Sequence, residues 1–154
     1  MPRIRTIKPS FFFHEELSLL PPETHLLAAG LLCYADDEGY FHAHPKLVQA
    51  AVFPIRELSG EIPEMLRSLQ EIGYIDTGKT PDGKVYGRVV KFDDHQKVSH
   101  PTGSVIKKLQ INWCNSGKTL DSSGENPEQY RNDHETLRPE LNRSEFELDG
   151  VRVP

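Results

Sequence analysis

Cysteine, tryptophan and methionine are scarce in this chain, and long apolar runs are absent. Cys33 and Cys114 lie far apart with no C-x-x-C pair. That excludes a zinc ribbon and a thioredoxin-like redox motif, and predicts reduced thiols in a cytoplasmic protein. No apolar stretch reaches membrane-spanning length. The opening "MPRIRTIKPSFFFHEEL" has three basic residues but no secretory core, because His14, Glu15 and Glu16 end the Phe run. A nucleophile elbow, a phosphate-binding G-x-x-x-x-G-K-S/T loop and an H-E-x-x-H pair are also missing. "NSGKTL" at 115–120 contains Gly-Lys-Thr but not the earlier glycine at the required spacing. The expectation is a protein that is not an enzyme and uses neither cofactor nor metal.

What is present is polar and frequently broken. Of 154 residues 36% are hydrophobic, and twelve prolines and eleven glycines interrupt the chain; mean hydropathy is −0.54. One small domain of about 100 residues is expected, with a polar remainder. Residues 1–109 carry 13 Lys/Arg against 14 Asp/Glu, a net of −1, and residues 110–154 carry 5 against 9, a net of −4, which accounts for the total of −5. Bases gather at Arg3, Arg5 and Lys8, then at Lys79, Lys84, Arg88 and Lys91, then at Lys97, Lys107 and Lys108. Segregated charge of this kind suits an anionic partner on one face, although a pI near 5.8 argues against strong non-specific DNA binding.

Residues 1–21 read as an extended N-terminal arm restricted by prolines, with Phe11–Phe13 as its anchor. A first helix is predicted over 22–35, with proline in its first turn and Leu27, Leu31, Tyr34 and Ala35 on one apolar face. Gly39 supplies a positive φ after "DDEG". "YFHAH" alternates as a short strand, with Tyr40, His42 and His44 on one face and Phe41 and Ala43 on the other. Pro45 opens a second helix with Leu47, Val48 and Ala51 inward. A third spans 60–72, capped by Ser59, with Ile62, Met65, Leu66, Leu69 and Ile72 as its apolar stripe. "YIDT" and "VYGRVVKF" then flank a Pro-Asp-Gly turn as a hairpin. Helix, strand, helix, helix, hairpin is the order of a winged helix-turn-helix with a three-stranded sheet, an α+β fold over residues 22–108. A short segment is expected to dock through Ile106, Leu109 and Trp113. Residues 109–154 read as a polar tail, mostly disordered from Asn115 onward.

Four strings in this order, "RIRTIKPSFF", "LLAAGLLCYADDEGYFHAHP", "LQEIGYI" and "KFDDHQKVSHPTGS", resemble the N-terminal winged-helix domain of phage and prophage replication proteins of the replisome-organizer or replication-initiation type. The resemblance covers residues 3–108. It implies DNA binding in replication initiation, duplex rather than single strand, recruitment of a helicase or helicase loader, and a bacterial or phage-infected cytoplasm. A second folded domain carried by longer members is not expected here.

Two residue sets follow. Arg3, Arg5 and Lys8 on the arm, Lys79, Lys84 and Arg88 on the hairpin, and Arg67, Lys97, Lys107 and Lys108 elsewhere are the DNA-contact candidates. The third helix offers Glu61, Glu64 and Glu71 against Arg67, a poor surface for a polyanion. Its acids suit a basic protein partner instead, and a transcriptional regulator would share the same pattern. "CYADDEGYFHAH" holds metal-ligand residue types in Asp36, Asp37, Glu38, His42 and His44, but two imidazoles without a third converging ligand do not make a site. In "FDDHQKVSHP", Asp93 and Asp94 read as adjacent on an extended chain, facing opposite ways. His95 and Gln96 read as backbone-bonding groups where the last strand leaves the sheet.

Overall fold

A computed structural model describes residues 3–58 and 60–114. Among them are six α-helices, a 3₁₀ turn and one four-stranded antiparallel sheet. The helices are α1 (Ser10–Phe13), α2 (Glu15–Ser18), α3 (Pro22–Tyr34), α4 (Pro45–Val52), α5 (Ile62–Glu71) and α6 (Phe92–His95). The strands are β1 (Tyr40–His42), β2 (Ile75–Lys79), β3 (Val85–Val89) and β4 (Asn112–Cys114), in the sheet order β1-β3-β2-β4. The fold class is α+β. No described helix is long and apolar enough to cross a membrane.

The periodicities of α3 and α5 bury most of the positions they should, with Tyr34 and Ile72 partly buried. Leu27, Leu31 and Ala35 of the α3 face are fully enclosed, and Ile62, Met65, Leu66 and Leu69 of α5 join them around Phe41, Val48 and Ile75. Proline opens α3, α4 and α5, where its missing N–H costs nothing. α5 ends in a Schellman-type cap: Gly73 at φ 76° donates to the Gln70 carbonyl and Tyr74 N to that of Leu69. The chain thus turns directly into β2. The sheet can sit this close to the helices because Gly87 of β3 lies opposite Phe41 of β1. A Cβ at Gly87 would come within 2.3 Å of the Phe41 ring.

Several expectations are corrected. Residues 1–21 are not an extended arm, because α1 and α2 form within them. His14 caps α2 by accepting from Leu17 N at 3.2 Å, and Phe11 and Leu17 are buried. Of the Phe run only Phe11 is buried; Phe12 and Phe13 are 62% and 64% exposed. On α4 only Val48 of the three inner candidates is enclosed, while Leu47 and Ala51 face outward. The roll of α4 is set by its approach to α3, where a Cβ on Gly30 would meet Val52 at 2.4 Å. α5 starts at Ile62 with Glu61 at its N-cap and no side-chain cap; Ser59 lies outside the described residues. Asp93 and Asp94 sit in one helical turn, α6, entered through Lys91 at φ 54°. The sheet has a fourth strand, β4, taken from the stretch assigned to the tail, and it pairs with β2 through Gly78↔Trp113. Close approach of that backbone is possible because residue 78 is glycine: a Cβ there would lie 2.7 Å from the Asn112 carbonyl. The expected disorder from Asn115 onward falls outside the described residues.

Candidate nucleic-acid interface and the acidic clamp

The last carbonyls of α3 have no helical partners and carry the negative end of its dipole. Three carboxylates follow immediately, an unfavourable sequence on its own terms. Arg5 and Arg3 resolve it. Arg5 donates from Nε to the Leu32 carbonyl at 3.2 Å and from Nη2 to the Asp36 carbonyl at 3.1 Å. The same Nη2 pairs with Asp37 Oδ1 at 2.9 Å, and Arg3 Nε reaches that oxygen at 3.1 Å. The Arg5 side chain is 6% exposed, and its guanidinium lies 5.4 Å from the centroid of the Phe92 ring. Arg3 N also donates to the Cys33 carbonyl at 3.0 Å.

The other side of the acidic corner is closed by the segment after α6. Asp36 Oδ1 accepts from Glu38 N and Tyr40 N, both at 3.0 Å, which shapes the turn into β1. Asp36 Oδ2 accepts from Ser104 Oγ at 2.5 Å, Asp37 Oδ2 from Thr102 N at 3.0 Å, and Glu38 Oε2 from Ser104 N at 2.7 Å. Lys107 Nζ completes the set at 2.9 Å from Glu38 Oε1. The Thr102 N–H and the Arg5 guanidinium hold the Asp37 carboxyl below the usual carboxylate range. The Ser104 N–H and Lys107 do the same for Glu38, which in turn raises Lys107. Residues 3–5, 36–38 and 102–107 therefore form one clamp. Beside it Gln96, as expected, bonds backbone: its side chain takes both the N–H and the carbonyl of Thr6 at 3.1 and 2.7 Å. His95 instead packs 6.3 Å from the Tyr74 ring, and its burial lowers its pKa.

The outer face of the sheet carries a second group. Tyr40, Arg88 and Asp76 stand in one cross-strand row, and His42, Tyr86, Gly78 and Trp113 in the next. Arg88 Nη2 pairs with Asp76 at 2.9 Å and its guanidinium lies 4.9 Å from the centroid of the Trp113 ring. His42 packs 4.9 Å from Tyr86, while His44 caps α4 by accepting from Lys46 N at 3.3 Å. The histidines of the acidic stretch thus have packing and capping roles. Among the described residues no group of three or more His, Cys, Asp or Glu is placed to hold a metal.

The ten cation candidates divide by what they already touch. Arg3, Arg5 and Lys107 belong to the clamp, and Arg88 is held by Asp76 and Trp113. Lys8 Nζ donates to the Asp94 carbonyl, and Arg67 pairs with Glu64 on the α5 surface. Lys84 meets Asp82 at 3.3 Å, both well exposed, a pairing too solvated to hold it. Lys79, Lys84, Lys97 and Lys108 present exposed side chains to solvent. Lys79 and Lys84 flank the hairpin turn, where Thr80 N donates to the Lys84 carbonyl and Gly83 takes φ 85°. Glu61, Glu64 and Glu71 are all exposed on α5.

Sequence reasoning missed Thr102 and Ser104, which bind through backbone N–H groups and a hydroxyl that no motif announces. The one signal was the electrostatic misfit of three acids at a helix C-terminus, which calls for cations from elsewhere. Comparison of the chain with family models, with curated proteins and with solved structures finds no match in any of the three.

Proposed function

We propose that residues 3–114 form a winged-helix module that binds duplex DNA, with the hairpin β2–β3 as the wing. The observation that carries the reading is the succession α3, β1, α4, α5, β2, β3, in which the amphipathic α5 leads straight into a hairpin whose turn is flanked by exposed Lys79 and Lys84. A wing beside the backbone needs cations rather than base-reading groups. Lys97 and Lys108 are the further contacts. Arg3, Arg5, Lys107 and Arg88, being engaged within the domain, support the surface rather than read DNA. Action in phage-type replication initiation, with a helicase or helicase loader as partner, rests on the family resemblance of residues 3–108 alone.

The test is a gel-shift titration over salt concentration. Each neutralised phosphate contributes a slope of about −0.9 in log K against log salt. Lys79→Ala with Lys84→Ala should therefore flatten the slope by about 1.8, without changing thermal stability. Absence of binding to any duplex or single strand at low salt sinks the reading.

A further inference from the structure

The first turn of α3 stands between two grooves of opposite character. On one side lies a groove of about 300 Å³ walled by Ile7, Phe11, Phe12, Pro22, His25 and Leu26. It has no charged residue in its lining, and Phe12 and Leu26 are half or more exposed. On the other side lies a groove of about 440 Å³ toward the start of α5, where Glu23, Glu61 and Glu64 line the wall without any Lys or Arg among the lining residues. Glu64 is engaged by Arg67, but among the described residues Glu23 and Glu61 have no ion-pair partner. In the apolar wall, His25 Nε2 is buried with no hydrogen-bond partner among the described residues, although Phe11 and Phe12 pack on its ring at 4.7 and 5.9 Å. Buried polar nitrogens are normally satisfied.

We infer that the paired grooves are a docking surface for a cationic amphipathic helix of another protein. Its apolar side chains would occupy the Phe12–Leu26 groove, and its Lys or Arg side chains the Glu23–Glu61 groove. Apolar anchors with a charged flank are how helix-in-groove contacts obtain both affinity and register. Charge selects the class of occupant. A nucleic acid would bring phosphates against three carboxylates. The chain's own residues 110–154 have a net charge of −4 and carry the wrong sign. A two-fold contact with a second copy repeats the same patch on both partners, and the groove lining of neither copy brings a Lys or Arg to Glu23 and Glu61. None of the residues involved belongs to the clamp or to the hairpin, so the inference stands apart from the DNA-binding reading.

The experiment is fluorescence anisotropy of a labelled synthetic Leu/Lys amphipathic helical peptide against the full chain, with a Leu/Glu peptide of the same pattern as control. Saturable micromolar binding of the Leu/Lys peptide alone is expected. It should weaken about tenfold in Glu23→Gln/Glu61→Gln and about 30-fold in Phe12→Ser or Leu26→Ser, the size of a lost hot-spot anchor. The substituted side chains are at the surface, and unchanged circular dichroism and Tm verify that each variant folds. Absence of saturable binding, equal binding of the Leu/Glu peptide, or undiminished binding in the variants overturns the inference. Displacement by duplex DNA with the same variant sensitivity, or self-association abolished by Leu26→Ser, assigns the grooves to another occupant and overturns it as well. DNA binding is read separately by Lys79→Ala/Lys84→Ala, which should leave the peptide affinity untouched.

Discussion

Two carboxylate-rich regions of this domain are put to opposite uses. Asp36, Asp37 and Glu38 are satisfied from within by Arg3, Arg5, Thr102, Ser104 and Lys107. Glu23 and Glu61 face a groove with no such partners among the described residues. The difference is one of reach. The acidic corner lies at the end of α3, where the N-terminal segment passes on one side and the segment after α6 on the other, so cations and N–H groups converge on it. Among the described residues, no cation-bearing segment lines the groove between α3 and α5. Charge of the same sign therefore holds the fold together in one place and, among the described residues, stays without a cation at Glu23 and Glu61 in the other.

The largest effect should come from removing the clamp's central cation. Arg5→Ala leaves Asp37 with Arg3 alone among its cations and strips donors from the last α3 carbonyls. Loss of a paired, buried guanidinium is strongly destabilising. Thermal unfolding followed by circular dichroism should show Tm falling by about 10 °C or more. Glu23→Gln/Glu61→Gln should move Tm by no more than about 3 °C, as surface changes do. Equal losses in the two variants would erase the distinction between the regions.

Acid sharpens the same contrast. The folded pKa values of Asp37 and Glu38 lie below their unfolded values. Their stabilisation is thus complete above the unfolded carboxylate range, about pH 4, and is lost as pH falls through the lowered folded values. Urea midpoints measured against pH should decline there in the wild type and more gently in Arg5→Ala/Lys107→Ala. A smaller, separate decline belongs to His95, whose burial lowers its folded pKa. The unfolded chain takes up that proton first, so stability drops as pH falls below about 6.5. His95→Phe should remove that step and leave the carboxylate one.

The smallest effect is spectroscopic. Trp113 is the chain's one tryptophan, and the Arg88 guanidinium lies against its ring. Arg88→Ala combined with Asp76→Asn, which leaves no carboxylate unpaired, should change its emission maximum by a few nanometres with only a modest loss of stability, of about 0.5–1 kcal/mol for the cation–π contact. An unchanged spectrum would mean that β4 does not bring the ring over the sheet.

The acidic corner illustrates what can be read in advance. Gly39 and Gly83 were legible as positive-φ positions because turn chemistry acts over a few residues, and the α3 and α5 stripes were legible because burial repeats with the helix. Leu47 and Ala51 were misassigned because α4 is short, and which of its sides is inner depends on how closely Val52 approaches Gly30. β4 was read as tail because a three-residue strand has no period to detect. The pairing of Arg3 and Arg5 with Asp37 was not legible, because a cation near an N-terminus looks the same whether its anion is a phosphate or Asp37.

Sequence alone therefore settled the order of α3, β1, α4, α5, β2 and β3, though not α1, α2, α6 or β4: prolines opening α3 and α4, an apolar stripe on α3 and on α5, and a Pro-Asp-Gly hairpin. Those are outcomes of local backbone sterics and of burial periodicity, which are written in neighbouring residues. Tertiary structure decided which charges meet. Arg5 reaches Asp37 across 32 positions, and Ser104 reaches Asp36 across 68. Electrostatic pairing depends on distance in space, and that distance exists only once α3 and the sheet have packed.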